Sequence, residues 1–319
     1  MKATPTKLEN PALKVNPFVR EVKRHWQLYL MTLPGVILLL VFFYFPMYGI
    51  VMAFQKLDFS QGLFTSPFVG LKNFKFLFAS TDSWIMTRNT VLYNIVFISL
   101  NMFLSVVLAL VINELTSRRF SKTFQTIYMM PSYLSMVVVS TITGTIFGEG
   151  YGGALNQLLQ SMGKEPVNWW IQVGAWPFIL TFVQAWKSVG SGSVGYTATI
   201  SGIDPSYYEA ASIDGASRFQ QVIHITIPNL KLMLALGLIS SMSTIFRSNF
   251  DLFFLVTKNV GTLYDVTMTL DTYIYNALKN YSNLNMSLAA GCYQSIVGFI
   301  LVVITNKIVK TLDENAAMF

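Results

Sequence analysis

Six long apolar segments, separated by polar stretches, form the main pattern of the chain. A transmembrane helix needs about 20 consecutive, mostly apolar residues, and every segment reaches that length. Their bounds are residues 28–54, 90–113, 124–147, 174–200, 229–257 and 284–308. The pattern predicts an all-α polytopic membrane protein with six transmembrane helices over 28–308, flanked by a polar leader at 1–27 and a polar tail at 309–319.

Composition and charge agree with a bilayer setting. Hydrophobic residues make up 53% of the chain and charged residues 12%, whereas a soluble domain carries about 25% charge. We assign the net charge of +7 to Lys and Arg at helix ends beside anionic lipid, and not to nucleic-acid binding. The polar face that holds both termini carries 13 Lys and Arg and the opposite face seven. The positive-inside rule therefore predicts cytoplasmic N- and C-termini.

The polar loop at 201–228 lies between the fourth and fifth segments and has the signals of a helix start. Asp204 suits an N-cap, and Ser206 and Glu209 have the spacing of a capping box. These signals predict a short helix over Tyr207–Ile213. The charge bias places this helix on the cytoplasmic face.

A break and a second helix start follow within the same loop. Gly215 tolerates the positive φ of a turn, and Ser217 can begin another helix. We therefore expect an exposed helix-turn-helix on one membrane face, a shape that suits docking of a partner.

The motifs of this loop resemble the cytoplasmic coupling loop of permease subunits in ATP-driven (ABC) importers. They are Glu209-Ala210-Ala211, Asp214-Gly215-Ala216 and Ile225-Thr226-Ile227-Pro228. Further motifs, spread over nearly the whole chain, resemble the carbohydrate-uptake permeases and, among them, the branch for complex oligosaccharides and polysaccharides. These are Pro46-Met47-Tyr48-Gly49, Val69-Gly70-Leu71-Lys72-Asn73-Phe74, Trp186-Lys187-x-x-Gly190, Ala198-x-x-x-Gly202-Ile203-Asp204-Pro205, Tyr264-Asp265-Val266 and Asp271-Thr272-Tyr273-Ile274-Tyr275.

This resemblance implies a fold, a set of partners and a docking site. The fold would be that of a type I ABC importer permease with a cytoplasmic coupling helix, in the bacterial cytoplasmic (inner) membrane. The partners would be a second, similar permease subunit that forms a heterodimer with this chain, two ATP-binding subunits and an extracytoplasmic solute-binding protein. The residues expected to contact an ATP-binding subunit are Glu209, Ala210, Ala211, Asp214, Gly215, Arg218 and Pro228.

A glycine-rich run in the fourth segment has the spacing of a phosphate-binding loop but lacks its chemistry. In Gly190–Thr197, Tyr196 occupies the place of the required lysine. Small residues at this spacing instead indicate close approach of two membrane helices. We therefore expect no ATPase activity, cofactor or metal in this chain, and we assign ATP and Mg²⁺ to the partner subunits.

Charged and aromatic residues inside the segments are candidates for a substrate pathway. They are Trp186, Lys187, Arg247 and Asp251. A structural role is the alternative, since Arg247 and Asp251 are four residues apart and would lie on one helix face as a neutralising pair. The two cations also allow an acidic sugar chain, such as an oligouronate or an alginate-like chain, because a cation pairs with a carboxylate. Trp169, Trp170 and Trp176 are expected in an interfacial aromatic belt.

Two other classes of function are open to a polytopic chain. A secondary transporter for a small polar solute would need coupling-ion carboxylates near the midplane and usually has internal repeats. Only Asp251 qualifies, and the sequence shows no repeat. A membrane-embedded enzyme would need a catalytic cluster, which the sequence lacks.

Overall fold

The structure, a computed structural model, describes residues 17–58, 62, 66–115, 117–279 and 284–312. Helices dominate these residues, and β structure among them is limited to one antiparallel bridge between Gln55 and Phe68. The α-helices in chain order are α1 (Pro17–Arg24), α2 (Trp26–Leu39), α3 (Phe45–Met47), α4 (Lys75–Ala79), α5 (Thr81–Asn113), α6 (Arg118–Tyr133), α7 (Met136–Phe147), α8 (Ala154–Ser161), α9 (Trp176–Ser201), α10 (Pro205–Ile213), α11 (Arg218–Gln221), α12 (Ile227–Asn229), α13 (Lys231–Met242), α14 (Tyr264–Thr267), α15 (Leu270–Lys279) and α16 (Leu284–Leu312). The all-α class is confirmed.

The chain divides into two units, Met1–Met52 and Ala53–Phe319. In the first unit, α2 passes through a π turn at Leu40–Tyr44 into α3. The wide turn lies just before Pro46, whose ring removes a backbone donor from the helix. Apolar side chains are exposed along this unit, which is the surface that lipid or another apolar partner would cover.

In the part of the chain that the structure describes, three helices are long and apolar enough to cross a membrane: Trp26–Phe54, Thr81–Asn113 and Leu284–Ile308. Two bent pairs pass the same test together and raise the number to five. α9 has 26 residues and spans about 39 Å at 1.5 Å per residue, although its glycine, serine and threonine make it less apolar. Six spans are consistent with this set.

The third predicted segment is a bent pair and not a straight helix. α6 and α7 meet at an angle of 92°, because Leu134 is extended and Ser135 caps α7 by accepting a hydrogen bond from the Val138 amide. The Lys187 ammonium on α9 donates to the carbonyls that end α6, those of Ser132 (3.2 Å) and Leu134. Lys187 therefore stabilises the bend.

The fifth predicted segment is also interrupted, and this corrects the expected pairing of Arg247 with Asp251. α13 ends at Met242, and helical structure resumes only at residue 250. The two charged side chains are thus not on one helix face, both are exposed, and the structure records no ion pair between them. Asn94 on α5 donates to the freed carbonyls of Ile245 (2.8 Å) and Arg247 (3.0 Å).

A buried aromatic cluster joins the segments around α5, α9 and the residues after α13. Tyr93 contacts Phe253 edge-on at 4.8 Å, and the Trp170 and Trp176 rings lie 4.9 Å apart. Trp170 is 8% exposed and Trp176 0%. The expected interfacial belt is therefore wrong for these two tryptophans. They belong to the core, because the segment before α9 folds back onto the bundle.

The glycine run of α9 lies where helices approach most closely. A Cβ added at Gly190 would collide with the Tyr128 carbonyl of α6, and one at Gly192 would lie 2.6 Å from the Ser105 hydroxyl of α5. Asn101 on α5 donates to Ser188 at 2.7 Å. The prediction that these small residues serve helix packing is confirmed.

The bend between α6 and α7 generates a prediction about Lys187. Lys187→Gln removes a charged donor from the carbonyls of Ser132 and Leu134, and hydrogen bonds of charged groups contribute about 1.5–3 kcal/mol. We expect the melting temperature in detergent to fall by about 5 °C. Lys122→Gln, at an exposed position on α6, is the control and should leave it unchanged. An equal fall of the melting temperature in both variants would contradict the role of Lys187 in stabilising the bend.

The packing of α9 generates a second prediction. Gly190→Ala forces a methyl group against the backbone of Tyr128, which cannot move without shifting α6, and overpacking of this kind costs about 1–3 kcal/mol. Gly195→Ala is the matched control, because its methyl group meets only the flexible end of Met233. Thermal unfolding of the purified chain in detergent should show a clearly larger loss of stability for Gly190→Ala. Equal losses would argue against the close approach.

Candidate functional site

The loop between α9 and α13 is a compact element built on the short helices α10 and α11. Asp204 caps α10 by accepting a hydrogen bond from the Ser206 amide at 2.9 Å. This bond lowers the pKa of the Asp204 carboxyl. The stability that the cap contributes to α10 is therefore present above the ordinary pKa of a carboxyl group, and it is lost as the pH falls through the lowered value. The predicted capping box of Ser206 and Glu209 is wrong, because the helix begins at Pro205, two residues earlier than such a box requires.

The turn after α10 follows the prediction closely. Gly215 has a φ of +80°, a conformation that glycine adopts without a steric penalty. Ser217 then caps α11 in a capping box, in which Gln220 bonds back to the Ser217 amide at 2.7 Å. The expected helix-turn-helix is confirmed.

Two side-chain hydrogen bonds join the halves of this loop, and sequence reasoning missed both. The Tyr208 hydroxyl on α10 bonds the Thr226 hydroxyl at 2.9 Å, and Gln221 on α11 donates to Ser212 on α10 at 2.9 Å. Gln221 and Thr226 are buried. Nothing in their spacing signals these contacts, because the partners are brought together only by the turn at Gly215.

The residues predicted to contact an ATP-binding subunit lie together on the surface of this loop. Glu209, Ala210, Asp214, Gly215, Arg218 and Pro228 are exposed, and Ala211 is half-buried. Beside them Ile213 is 87% exposed and Phe219 73%. A cavity of about 320 Å³ opens between α10 and α11, with Asp214, Gln220 and His224 in its wall. Charged groups with exposed apolar side chains around a concavity are typical of a protein interface.

A second cavity of about 480 Å³ lies between α5, α9 and α13. Its polar lining consists of amides and hydroxyls without a charged side chain: Asn94, Asn101, Gln184, Ser188, Ser191, Tyr196, Ser240, Ser241, Thr244 and Asn249. Phe97 and Met102 add apolar surface. Asn249 donates to Gln184 at 3.0 Å across this space. We refer to it as the central polar cavity.

The sequence contained a weak signal for the central polar cavity. Asn94 and Asn101 are seven residues apart on α5, and Gln184, Ser188 and Ser191 follow helical spacing on α9. Residues at such spacings share one helix face. The signal becomes clear only when α5, α9 and α13 are brought together.

The four residues predicted for a substrate pathway do not line this cavity. Lys187 is directed to the carbonyls of α6, and Trp186 beside it is 39% exposed. Arg247 is exposed at the break after α13, where its carbonyl accepts from the cavity residue Asn94. Contact of these four residues with a substrate stays a prediction. Among them, Arg247 is the one whose backbone carbonyl accepts a hydrogen bond from the side chain of a residue that lines the cavity.

A known protein family and a known relative both match most of the chain. Residues 101–314 match the family described as "Binding-protein-dependent transport system inner membrane component". The chain is 32% identical over 287 residues to the polygalacturonan/rhamnogalacturonan transport system permease protein YteP of Bacillus subtilis (strain 168), which covers 90% of this chain and 88% of the relative.

Two solved structures are similar over nearly the whole chain. One is a bacterial ABC transporter involved in the import of the acidic polysaccharide alginate, with a TM-score of 0.85 and 29% identity over 93% of this chain and 100% of that chain. The other is a bacterial alginate ABC transporter in complex with an alginate pentasaccharide-bound periplasmic protein, with a TM-score of 0.83 and 29% identity over 92% and 97%. By sequence and by fold, the chain belongs to the family of inner membrane components of binding-protein-dependent transport systems and has the architecture of an ABC importer permease.

Proposed function

We propose that this chain forms half of the translocation pathway of an ATP-driven importer for a carbohydrate oligomer. The observation that carries the substrate class is the central polar cavity, whose amides and hydroxyls suit sugar hydroxyl groups and whose lining lacks a carboxylate. A secondary transporter, which couples transport to an ion through carboxylates, is not supported by this lining. Relatives with carbohydrate substrates in their names point in the same direction.

Coupling to ATP belongs to the loop of α10 and α11. Its exposed Glu209, Asp214 and Arg218 offer charges to an ATP-binding subunit, while Ile213 and Phe219 offer apolar contact. The bonds from Tyr208 to Thr226 and from Gln221 to Ser212 hold the loop as one body. A rigid loop transmits movement, because coupling requires contacts that differ between two states.

The full assembly on this proposal has a second, similar permease subunit, two ATP-binding subunits and a solute-binding protein. ATP and Mg²⁺ are held by the ATP-binding pair. Closure of that pair moves the coupling loops and opens the pathway outward, and hydrolysis resets it. The N- and C-termini lie in the cytoplasm, which puts the loop on the side where ATP is available.

An acidic oligomer is the substrate that we favour within this class. Arg247 supplies an exposed cation beside the neutral central polar cavity, and a guanidinium pairs with a uronate carboxylate in two parallel hydrogen bonds. The Lys187 ammonium is already engaged by backbone carbonyls, so it contributes less to this recognition.

The coupling role of Glu209 is tested by charge reversal. In the complex assembled with the ATP-binding subunits, Glu209→Arg should abolish the stimulation of ATP turnover by substrate-loaded binding protein, because it places a like charge against a basic partner. Thermal unfolding should be unchanged, since the Glu209 side chain is exposed and makes no hydrogen bond or ion pair with the described residues. ATP turnover and melting temperature are both measured.

Glu114→Arg is the matched control for this experiment. Glu114 is an exposed carboxylate that follows α5, on the same predicted face of the membrane but outside the loop of α10 and α11. Its reversal should leave stimulated ATP turnover intact. Normal stimulation in Glu209→Arg would count against the coupling role of the loop.

Recognition of acidic substrate is tested by Arg247→Gln. Uptake of an acidic oligosaccharide should fall about tenfold, which corresponds to the loss of one charge-assisted pair. Uptake of a neutral oligosaccharide of equal length should be unaffected if it is carried at all. Equal loss for both substrates would overturn the charge recognition while leaving the transport function untouched.

A further inference from the structure

We propose that a groove on the outside of the α5–α9 pair binds an anionic phospholipid, with one acyl chain in the groove and the phosphate at Arg88. The groove has a volume of about 700 Å³ and shares no lining residue with the central polar cavity. On α5 it uses Leu92, Val96 and Leu100, which alternate around the helix with the cavity residues Asn94 and Asn101. The groove is thus a separate site from the translocation pathway.

The wall of the groove is apolar and open to the surroundings of the bundle. Phe178 is 78% exposed, Phe182 70% and Leu92 55%. Ala185 lines the groove together with these residues, and its small side chain leaves a depression beside the larger ones. Exposed aromatic and aliphatic side chains around a continuous depression suit a flexible hydrocarbon chain.

Polar groups are collected at one end of this groove. Arg88 donates through Nη2 to the Asp265 carbonyl at 2.7 Å and through Nε to the Asn89 side chain at 3.2 Å. Its Nη1 makes no hydrogen bond with the described residues, and no ion pair with a carboxylate neutralises Arg88 among them. The guanidinium is therefore fixed in position, while its Nη1 can still donate a hydrogen bond and its positive charge is not neutralised. A phosphate group binds to such a charged donor.

Tyr93 forms the inner wall of the groove. It lies one helical turn beyond Asn89 and is 8% exposed. Its ring packs edge-on against Phe253 in the core, and its hydroxyl is buried away from the groove surface. The polar recognition of a lipid headgroup therefore rests on Arg88.

The length of the groove favours a lipid over a neighbouring transmembrane helix. From Arg88 to Leu100 the α5 axis rises about 18 Å at 1.5 Å per residue. The hydrocarbon core is about 30 Å thick, so the groove reaches through one leaflet and ends. A crossing helix would need a groove over the full thickness. On the predicted topology, Arg88 lies at the outer surface and the lipid belongs to the outer leaflet.

The experiment measures lipid retention by native mass spectrometry of the purified transport complex. The probes are phosphatidylglycerol and phosphatidylcholine with identical acyl chains, added over a range of concentrations. We expect tighter binding of phosphatidylglycerol. Arg88→Gln should weaken phosphatidylglycerol about tenfold, the value of one charge-assisted pair, with little change for phosphatidylcholine. Lys164→Gln, an exposed outer-face cation outside the groove, should behave as the unmodified chain.

A second variant tests the groove without touching the charge. Ala185→Phe fills the space between Phe178 and Phe182 and should weaken both lipids, while substrate-stimulated ATP turnover reports separately on transport. This variant decides the matter if Arg88→Gln fails to fold. Equal binding of both lipids to the unmodified chain, or full retention in Ala185→Phe, would overturn the proposal. So would a photoreactive group at Phe182 that cross-links to a second permease subunit and not to lipid.

Discussion

A backbone carbonyl freed inside a membrane bundle must find a donor from the protein, because lipid offers none. This chain breaks two of its membrane segments and meets the requirement with long polar side chains from neighbouring helices. Lys187 donates to the carbonyls at the end of α6, and Asn94 to those after α13. Gln294 on α16 donates to the Phe246 carbonyl at the same break. The bends exist because these donors reach them.

The break after α13 also shapes the central polar cavity. The interruption after α13 turns Thr244 and Asn249 toward α5 and α9, where they complete the central polar cavity. Arg247 lies in the same interruption, and the donor that supports it, Asn94, is itself a cavity residue. One set of hydrogen bonds thus supports the backbone and shapes the central polar cavity. The loop of α10 and α11 leads through α12 into α13, whose residues line this cavity.

The loop of α10 and α11 and the central polar cavity differ in how far they follow from sequence. The loop is local, because Asp204, Gly215 and Ser217 act on their own backbone within a few residues. Its caps and its turn are therefore predictable from sequence, although the cap of α10 is Asp204 alone and the predicted box with Glu209 does not form. The central polar cavity is not local. Charge in a membrane segment makes Lys187 and Arg247 conspicuous in the sequence, yet the cavity is lined by neutral residues that are individually unremarkable there.

The sequence by itself determined the all-α class, the positions of the apolar segments, the docking loop and the family, because hydrophobic length, capping residues and motif spacing are properties of short stretches of chain. Only the tertiary structure decided which segments bend, that Trp170 and Trp176 are buried in the core, and that Arg247 and Asp251 stand apart. It also decided where the central polar cavity and the Arg88 groove lie. These features depend on contacts between residues far apart in the chain. The spacing of residues along the sequence does not indicate that Lys187 donates to the carbonyls of α6, or that Asn94 donates to the carbonyls that follow α13.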